Sequence, residues 1–181
     1  MNIALYGGSF DPPHIGHVRV ALKALEVLEI DKLIIVPAFK NPFKPSASVN
    51  GTQRLQWLKQ IFQAYPKIEI SSFEIDQKRS VTTIETVRHY AKIYNKLYLI
   101  IGADNLATLD KWHEVDTLRT MVTLVIATRD GIPIPNEMIT LSVNESVNST
   151  DFRSSFGSLG LDEKIENDIT HYYKEHYEPT N

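Results

Sequence analysis

Ile3-Ala4-Leu5-Tyr6-Gly7-Gly8-Ser9-Phe10-Asp11-Pro12-Pro13-His14-Ile15-Gly16-His17 decides how this chain folds. The first four residues are an apolar run of strand character. Two glycines, a serine and two prolines then make a turn. After the histidines, Val18, Ala21, Leu22, Leu25 and Leu28 fall on one face of a helix. A strand thus feeds a glycine-rich turn, and the turn feeds a helix. Backbone N–H groups in such a turn, together with the positive end of the helix, favour an anion, above all a phosphate. Gly7-Gly8 lets backbone approach a ligand where a Cβ would crowd it. His14 and His17 add side-chain donors at the same place. The bland reading is a glycine turn with one capping and one packed histidine. The whole string in its strand–turn–helix setting points instead to a nucleoside triphosphate. It is neither a dinucleotide fingerprint, lacking Gly-x-Gly-x-x-Gly, nor a P-loop, since no Gly-Lys-Ser/Thr follows.

Outward from this string, apolar strand-like runs alternate with helical patterns. Leu33-Ile34-Ile35-Val36 is uninterrupted and ends at Pro37, as expected of a strand buried on both faces of a parallel sheet. A loop follows from Ala38 to Gly51, long enough to suggest function. Leu55, Leu58, Ile61 and Phe62 mark a second helix with Thr52 as its cap. Ile68-Glu69-Ile70 is a short strand. Thr82-Thr83-Ile84-Glu85 has the form of a capping box and opens a helix that turns Ile84, Val87, Ala91 and Tyr94 inward. Leu97 to Ile101, Val122 to Ala127 and Ile139 to Leu141 complete the strands. From Asp162 the pattern is helical, with Ile165, Ile169, Tyr172 and Tyr173 inward. This order predicts one α/β domain over residues 1–181: a Rossmann-like, doubly wound, mainly parallel sheet with helices on both faces. Ligands of such sheets bind beyond the carboxyl ends of the strands. Gly7 to His17, Ala38 to Lys44, Gly102 to Asn105 and the segment after Leu141 all leave such ends.

The bulk properties narrow the classes. The chain has 181 residues, 43% hydrophobic and 23% charged, with a formal net charge of −3. That is the balance of a globular domain. It gives no electrostatic footprint for nucleic acid, and no run approaches a membrane span. There is no cysteine, which rules out disulfides, thiolate metal sites and cysteine nucleophiles. The N-terminus does not read as a signal peptide, because Asp11 and two prolines interrupt it. The expectation is a cytoplasmic protein with neither nucleic-acid nor membrane partners. Nothing in the sequence reads out an oligomeric state.

Later residues divide between chemistry and structure. Arg153 falls in the first turn of a helix that Ser149 or Thr150 could cap, where hydroxyls, amides and a guanidinium can hold a phosphate. Read alone, Asn148-Ser149-Thr150-Asp151 is simply a cap. Trp112 lies between Lys111 and His113, a polar setting for a core tryptophan and a suitable one for stacking on a flat ring. Its alternative is a lid on an apolar cluster. Asp104 could equally cap a short helix. Lys44 brings positive charge to the ligand edge or is a solvated loop lysine. Arg54 and Trp57 belong either to a core helix or to a wall of the site, and Trp57 reads as structure. His171 and His176 read as surface residues.

The string Gly7 to His17 resembles the signature of the nucleotidylyltransferase superfamily, whose hallmark His-x-Gly-His is here His14 to His17. The doubled glycine and Ser9-Phe10-Asp11-Pro12 resemble the bacterial nicotinate-mononucleotide adenylyltransferases. Gly102-Ala103-Asp104-Asn105 with Leu109 and Trp112, Thr83-Ile84-Glu85-Thr86, and Asn148-Ser149-Thr150-Asp151-Phe152-Arg153 are similar to later motifs of that family, in order. The family usually carries histidine where this chain has Phe43, and serine where it has Asn148. The resemblance implies adenylyl transfer from ATP to nicotinate mononucleotide, with Mg²⁺ arriving on ATP. It implies catalytic roles for His14, His17, Lys44 and Arg153. The ATP side would be Gly7, Gly8, Ser9, Phe10, His17, Ser149, Thr150 and Arg153. The nicotinate nucleotide would meet Lys44, Thr83, Asp104, Trp112 and His113: Asp104 on its ribose, Trp112 on its pyridine, and backbone amides near Thr83 and His113 on its carboxylate. No dedicated protein metal site is expected. Phosphopantetheine adenylyl transfer and a nucleotide sensor without catalysis are the competing readings.

Overall fold

The computed structural model describes residues 1–39, 49–128 and 133–176; Phe43 and Lys44 lie outside them. In chain order the elements are β1 (Asn2–Gly8), α1 (Ile15–Val27), β2 (Lys32–Pro37), α2 (Gly51–Phe62), β3 (Ile68–Ile70), α3 (Phe73–Asp76), α4 (Thr83–Ala91) and β4 (Lys96–Gly102). A 3-10 helix, Ala103–Lys111, follows, then α5 (Val115–Met121), β5 (Thr123–Thr128), β6 (Ile139–Ser142), α6 (Ser149–Ser155) and α7 (Glu163–His176). All six strands pair in parallel, in the order β3-β2-β1-β4-β5-β6.

The alternation of a strand explains both faces of the sheet. Ala4 and Tyr6 of β1 pack with Val18, Ala21 and Ala24 of α1 and Leu58 of α2. Ile3 and Leu5 of the same strand pack on the other face with Ile84 and Val87 of α4 and Leu118 of α5. Ile34 and Ile35 of β2 are both fully buried, one in each cluster. Each such side chain contributes roughly 1.5–3 kcal/mol relative to exposure. A third cluster lies beside α2, where Trp57 meets Phe152, Ile169 and Tyr173. No described helix is long and apolar enough to cross a membrane.

The strand order creates the crevice. From β1 the chain passes through α1 to β2. From β4 it passes over the opposite face, through the 3-10 helix and α5, to β5. The carboxyl ends of β1 and β4 are neighbours, with Tyr6 beside Ile100, and the two exits diverge. That places Gly7 to His17 and Gly102 to Trp112 on either side of one opening.

Several local expectations change. Asn50, not Thr52, caps α2, because its Oδ1 accepts the Thr52 amide at 2.9 Å. Ala91 is exposed, and Thr86 and Tyr90 join Ile84 and Val87 on the inward face of α4. The short helix α3 was not signalled by any apolar period. The connection from β4 to β5 holds two helical elements, the second entered through Glu114, which adopts a left-handed backbone (φ 49°).

Candidate active site

The two histidines form a cap out of imidazoles. His14 is the N-cap of α1, and its Nδ1 accepts the Gly16 amide at 3.1 Å. His17 reaches back, and its Nδ1 accepts the His14 amide at 3.1 Å. This is a capping box with histidine in both roles. Because each Nδ1 accepts, each neutral ring carries its proton on Nε2. The local hydrogen bonding therefore makes both rings Nε2–H donors at a helix N-terminus. The ring centroids are 3.8 Å apart. A Cβ on Gly16 would come within 2.9 Å of the His14 ring, so the glycine between them is a condition of the cap.

The glycines and Phe10 shape the floor. Phe10 takes a left-handed backbone (φ 48°) and turns its ring into the core, 1% exposed. There it lies 4.8 Å from the His17 ring and edge-on to Tyr6. Contact between Phe10 and a nucleotide is therefore left to its backbone. A Cβ on Gly8 would sit 3.1 Å from that ring, whereas one on Gly7 would meet nothing within 4 Å.

Long-range donors fasten this turn. Arg54, 3% exposed, donates to the carbonyls of Ser9 (2.5 Å), Ala38 (2.7 Å) and Val49 (2.9 Å). Arg153 donates to the carbonyl of Asp11 at 2.5 Å, and Ser149 Oγ to that of Pro12 at 2.8 Å. Arg153 also approaches Thr150 Oγ1 at 3.4 Å. Arg153, Ser149 and the histidine turn are thus brought together. The capping expectation is corrected: Asn148 caps α6, its Oδ1 accepting the Asp151 amide at 2.8 Å. That leaves the Ser149 hydroxyl for Pro12 and Thr150 exposed. Asp11 is 6% exposed, and its carboxyl accepts from the Tyr173 phenol. Burial raises its pKa, against the opposing pull of the Tyr173 bond and the charges of Arg153 and Arg54.

The other side of the opening is local in its bonding. Asp104 is exposed at the start of the 3-10 helix, with Asn105 Nδ2 3.4 Å from its Oδ1 and 3.2 Å from the Gly102 carbonyl. Thr83 is the first residue of α4, where leading amides lack intrahelical acceptors. Glu85 closes the predicted box, accepting from the Thr82 amide at 2.8 Å. The bond from Arg79, then that amide, hold the Glu85 carboxyl down at about 2. Trp112 is half-buried against the apolar cluster of Leu109 and Leu118. Its indole N–H is buried and meets no acceptor among the described residues. His113 is exposed, 3.2 Å from Glu114, which also pairs with Arg88 of α4.

The sequence left Arg54 between a core helix and a wall of the site, and the structure buries it with its guanidinium on the carbonyls of Ser9, Ala38 and Val49. A second buried group escaped the sequence. Glu74 is nearly buried and accepts from the Thr86 hydroxyl at 2.6 Å. Burial, first, lifts its carboxyl to about 7, with the nearby Glu85 charge adding to the rise against the Thr86 bond. No pattern foretold it.

Comparisons with known proteins converge. The cytidylyltransferase-like family model matches residues 5–155. A Sulfurimonas denitrificans protein named probable nicotinate-nucleotide adenylyltransferase is 46% identical over 97% of this chain and 96% of its own length. A Campylobacter jejuni protein of the same name is 47% identical over 96% and 97%. Among solved structures, Plasmodium falciparum nicotinic acid mononucleotide adenylyltransferase complexed with NaAD superposes with a TM-score of 0.75. It covers 96% of this chain and 97% of its own, at 18% identity, a likeness of fold. The same parasite protein complexed with APC gives 0.72 at 19% identity, with the same coverage.

Proposed function

We infer the chemistry of this site from its family: the chain belongs to the cytidylyltransferase-like proteins and, among them, to the nicotinate-nucleotide adenylyltransferases. It is an enzyme of NAD biosynthesis that transfers the adenylyl group of ATP to nicotinate mononucleotide, forming deamido-NAD and pyrophosphate. The observation that carries the mechanism is the imidazole cap, two Nε2–H donors built into the N-terminus of α1.

The 5′-phosphate of nicotinate mononucleotide attacks the α-phosphorus of ATP. A phosphorus–oxygen bond forms there as the bond to the β-phosphate oxygen breaks, and pyrophosphate leaves with that electron pair. The nucleophile is already ionised at neutral pH, so the site needs no general base. Its work is to place two anions in line and to stabilise charge on the phosphoryl oxygens. His14 and His17 donate to those oxygens from a helix terminus that itself favours negative charge. Arg153 supplies a fixed cation, held beside Asp11. The backbone at Gly7, Gly8, Ser9 and Phe10 lines the ATP side, with Ser149 and Thr150 at the start of α6. Lys44 adds charge from the loop outside the described residues. Across the opening, Asp104 takes the ribose, Trp112 stacks on the pyridine, and amides near Thr83 and His113 take its carboxylate.

Mg²⁺ arrives with ATP and offsets the charge of the phosphates. When bound, the ion would be held mainly by phosphate and water oxygens. The reaction is placed in the cytoplasm.

The test is an initial-rate assay of pyrophosphate release with ATP, Mg²⁺ and one acceptor at a time. Nicotinate mononucleotide should support turnover. No release with it would refute this reading. Release with phosphopantetheine alone would select that acceptor, and ATP binding without release from any acceptor would select a sensor.

A further inference from the structure

The last helix reaches back to the first motif. Tyr173 of α7 is fully buried, and its phenol donates to Asp11 Oδ1, 162 residues away in sequence. Its ring is held by Trp57, stacked at 6.0 Å, and by Phe152, edge-on at 5.4 Å. A phenylalanine would satisfy those ring contacts. The hydroxyl adds something packing does not require, a donor to a buried carboxylate.

That carboxylate sits at a joint. Arg153 of α6 and Arg54 of α2 both set positive charge against it, and the Val49 amide bonds to it. The backbone carbonyl of Asp11 takes the Arg153 guanidinium, and the next carbonyl, of Pro12, takes Ser149 Oγ. Three residues beyond Asp11 stands His14, whose cap begins α1. The amide of Ile15 is in turn held by the Leu159 carbonyl at 2.9 Å, from the segment between α6 and α7. Trp57 gives the contrast within the same cluster. Its indole N–H donates at 2.8 Å to Asp168, an exposed residue of α7.

We propose that Tyr173 is a positioning residue for ATP: by holding the Asp11 carboxylate it fixes Arg153 and the entry to the histidine cap. This rests on the reading that ATP lies against Gly7 to His17. Without the phenol, Asp11 loses a donor it cannot replace from water, and the joint relaxes toward other partners. The described bonds of the acceptor side run within that side, Asn105 to Gly102, Glu85 to Thr82 and His113 to Glu114, so the change should leave it as it is.

The experiment is calorimetric titration of the whole protein with ATP and Mg²⁺, and separately with nicotinate mononucleotide. Tyr173→Phe should bind ATP at least about fivefold more weakly, with affinity for the nicotinate nucleotide unchanged. Trp57→Phe, which keeps an aromatic ring against Tyr173 and removes the bond to Asp168, should lower the melting temperature and leave both affinities as they are. ATP affinity equal to wild type in Tyr173→Phe, or equal losses for both nucleotides, would overturn the proposal. If Tyr173→Phe does not fold, Asp11→Asn breaks the charged contact from the other end and carries the same prediction and the same refutation. A wild-type protein that fails to bind ATP would instead remove the reading beneath it.

Discussion

The two sides of the opening are built differently. On the histidine side, donors from α2, α6 and α7 converge on one short turn from positions 45 to 162 residues away, and most of the groups are buried. On the Trp112 side several bonds are short in sequence and half-buried or exposed: Asn105 to Gly102, Glu85 to Thr82, His113 to Glu114. Longer links, such as the buried one from Glu74 to Thr86 over 12 residues and the exposed one from Arg88 to Glu114 over 26, still span fewer residues than any of those on the histidine side. The lesson is where rigidity is needed. Donors to a phosphoryl group act only if already in place when charge develops, so the scaffold immobilises them. A flat ring and a ribose are recognised by stacking and a few polar contacts, which local turns can supply.

This contrast can be broken at three points. The largest effect should come from His17→Ala, which removes one Nε2–H donor and half of the cap. Turnover should fall by about a hundredfold or more, while the chain stays folded with about 1 kcal/mol lost from the cap. Steady-state kinetics and urea unfolding measure the two; unchanged turnover would make the histidine structural and erase the difference between the sides.

Next is Glu74, the buried acid of the acceptor side. Its carboxyl titrates near 7 in the folded protein, against an ordinary 4.5. The folded state therefore keeps a proton that the unfolded chain releases over that interval. Stability from this residue is full below pH 4.5 and is lost as pH rises towards 7. Glu74→Gln has no such loss, so its stability relative to wild type should improve by about 2 kcal/mol between pH 5 and pH 8. Denaturant unfolding at both values checks this, and a pH-independent difference would contradict it.

The smallest effect is expected from Trp112→Ala. Affinity for nicotinate mononucleotide should drop about tenfold, with that for ATP retained. Equal losses would mean that Trp112 is only a lid on the cluster of Leu109 and Leu118.

How much of this was legible follows from where the information sits. Uninterrupted aliphatic runs revealed the inner strands, because burial on both faces leaves a compositional mark; the edge strands β3 and β6 showed only as brief apolar–polar–apolar stretches. The Thr82 to Glu85 box was readable because its partners are three residues apart. His14 and His17 share that spacing, yet only the structure shows each ring accepting an amide and so becoming an Nε2–H donor. Arg54 and Arg153 chiefly bond backbone carbonyls, which every residue possesses and no sequence pattern marks. The Tyr173 contact with Asp11 joins the two ends of the chain, and its apolar spacing announced only a core position.

The most direct test of the two-sided site is a crystal structure of the protein with deamido-NAD. The account predicts the adenylate phosphate within hydrogen-bond reach of His14 or His17, and the pyridine ring lying on Trp112 across the ends of β1 and β4. A product whose phosphates are out of reach of both imidazoles, or whose pyridine rests away from Trp112, would contradict it.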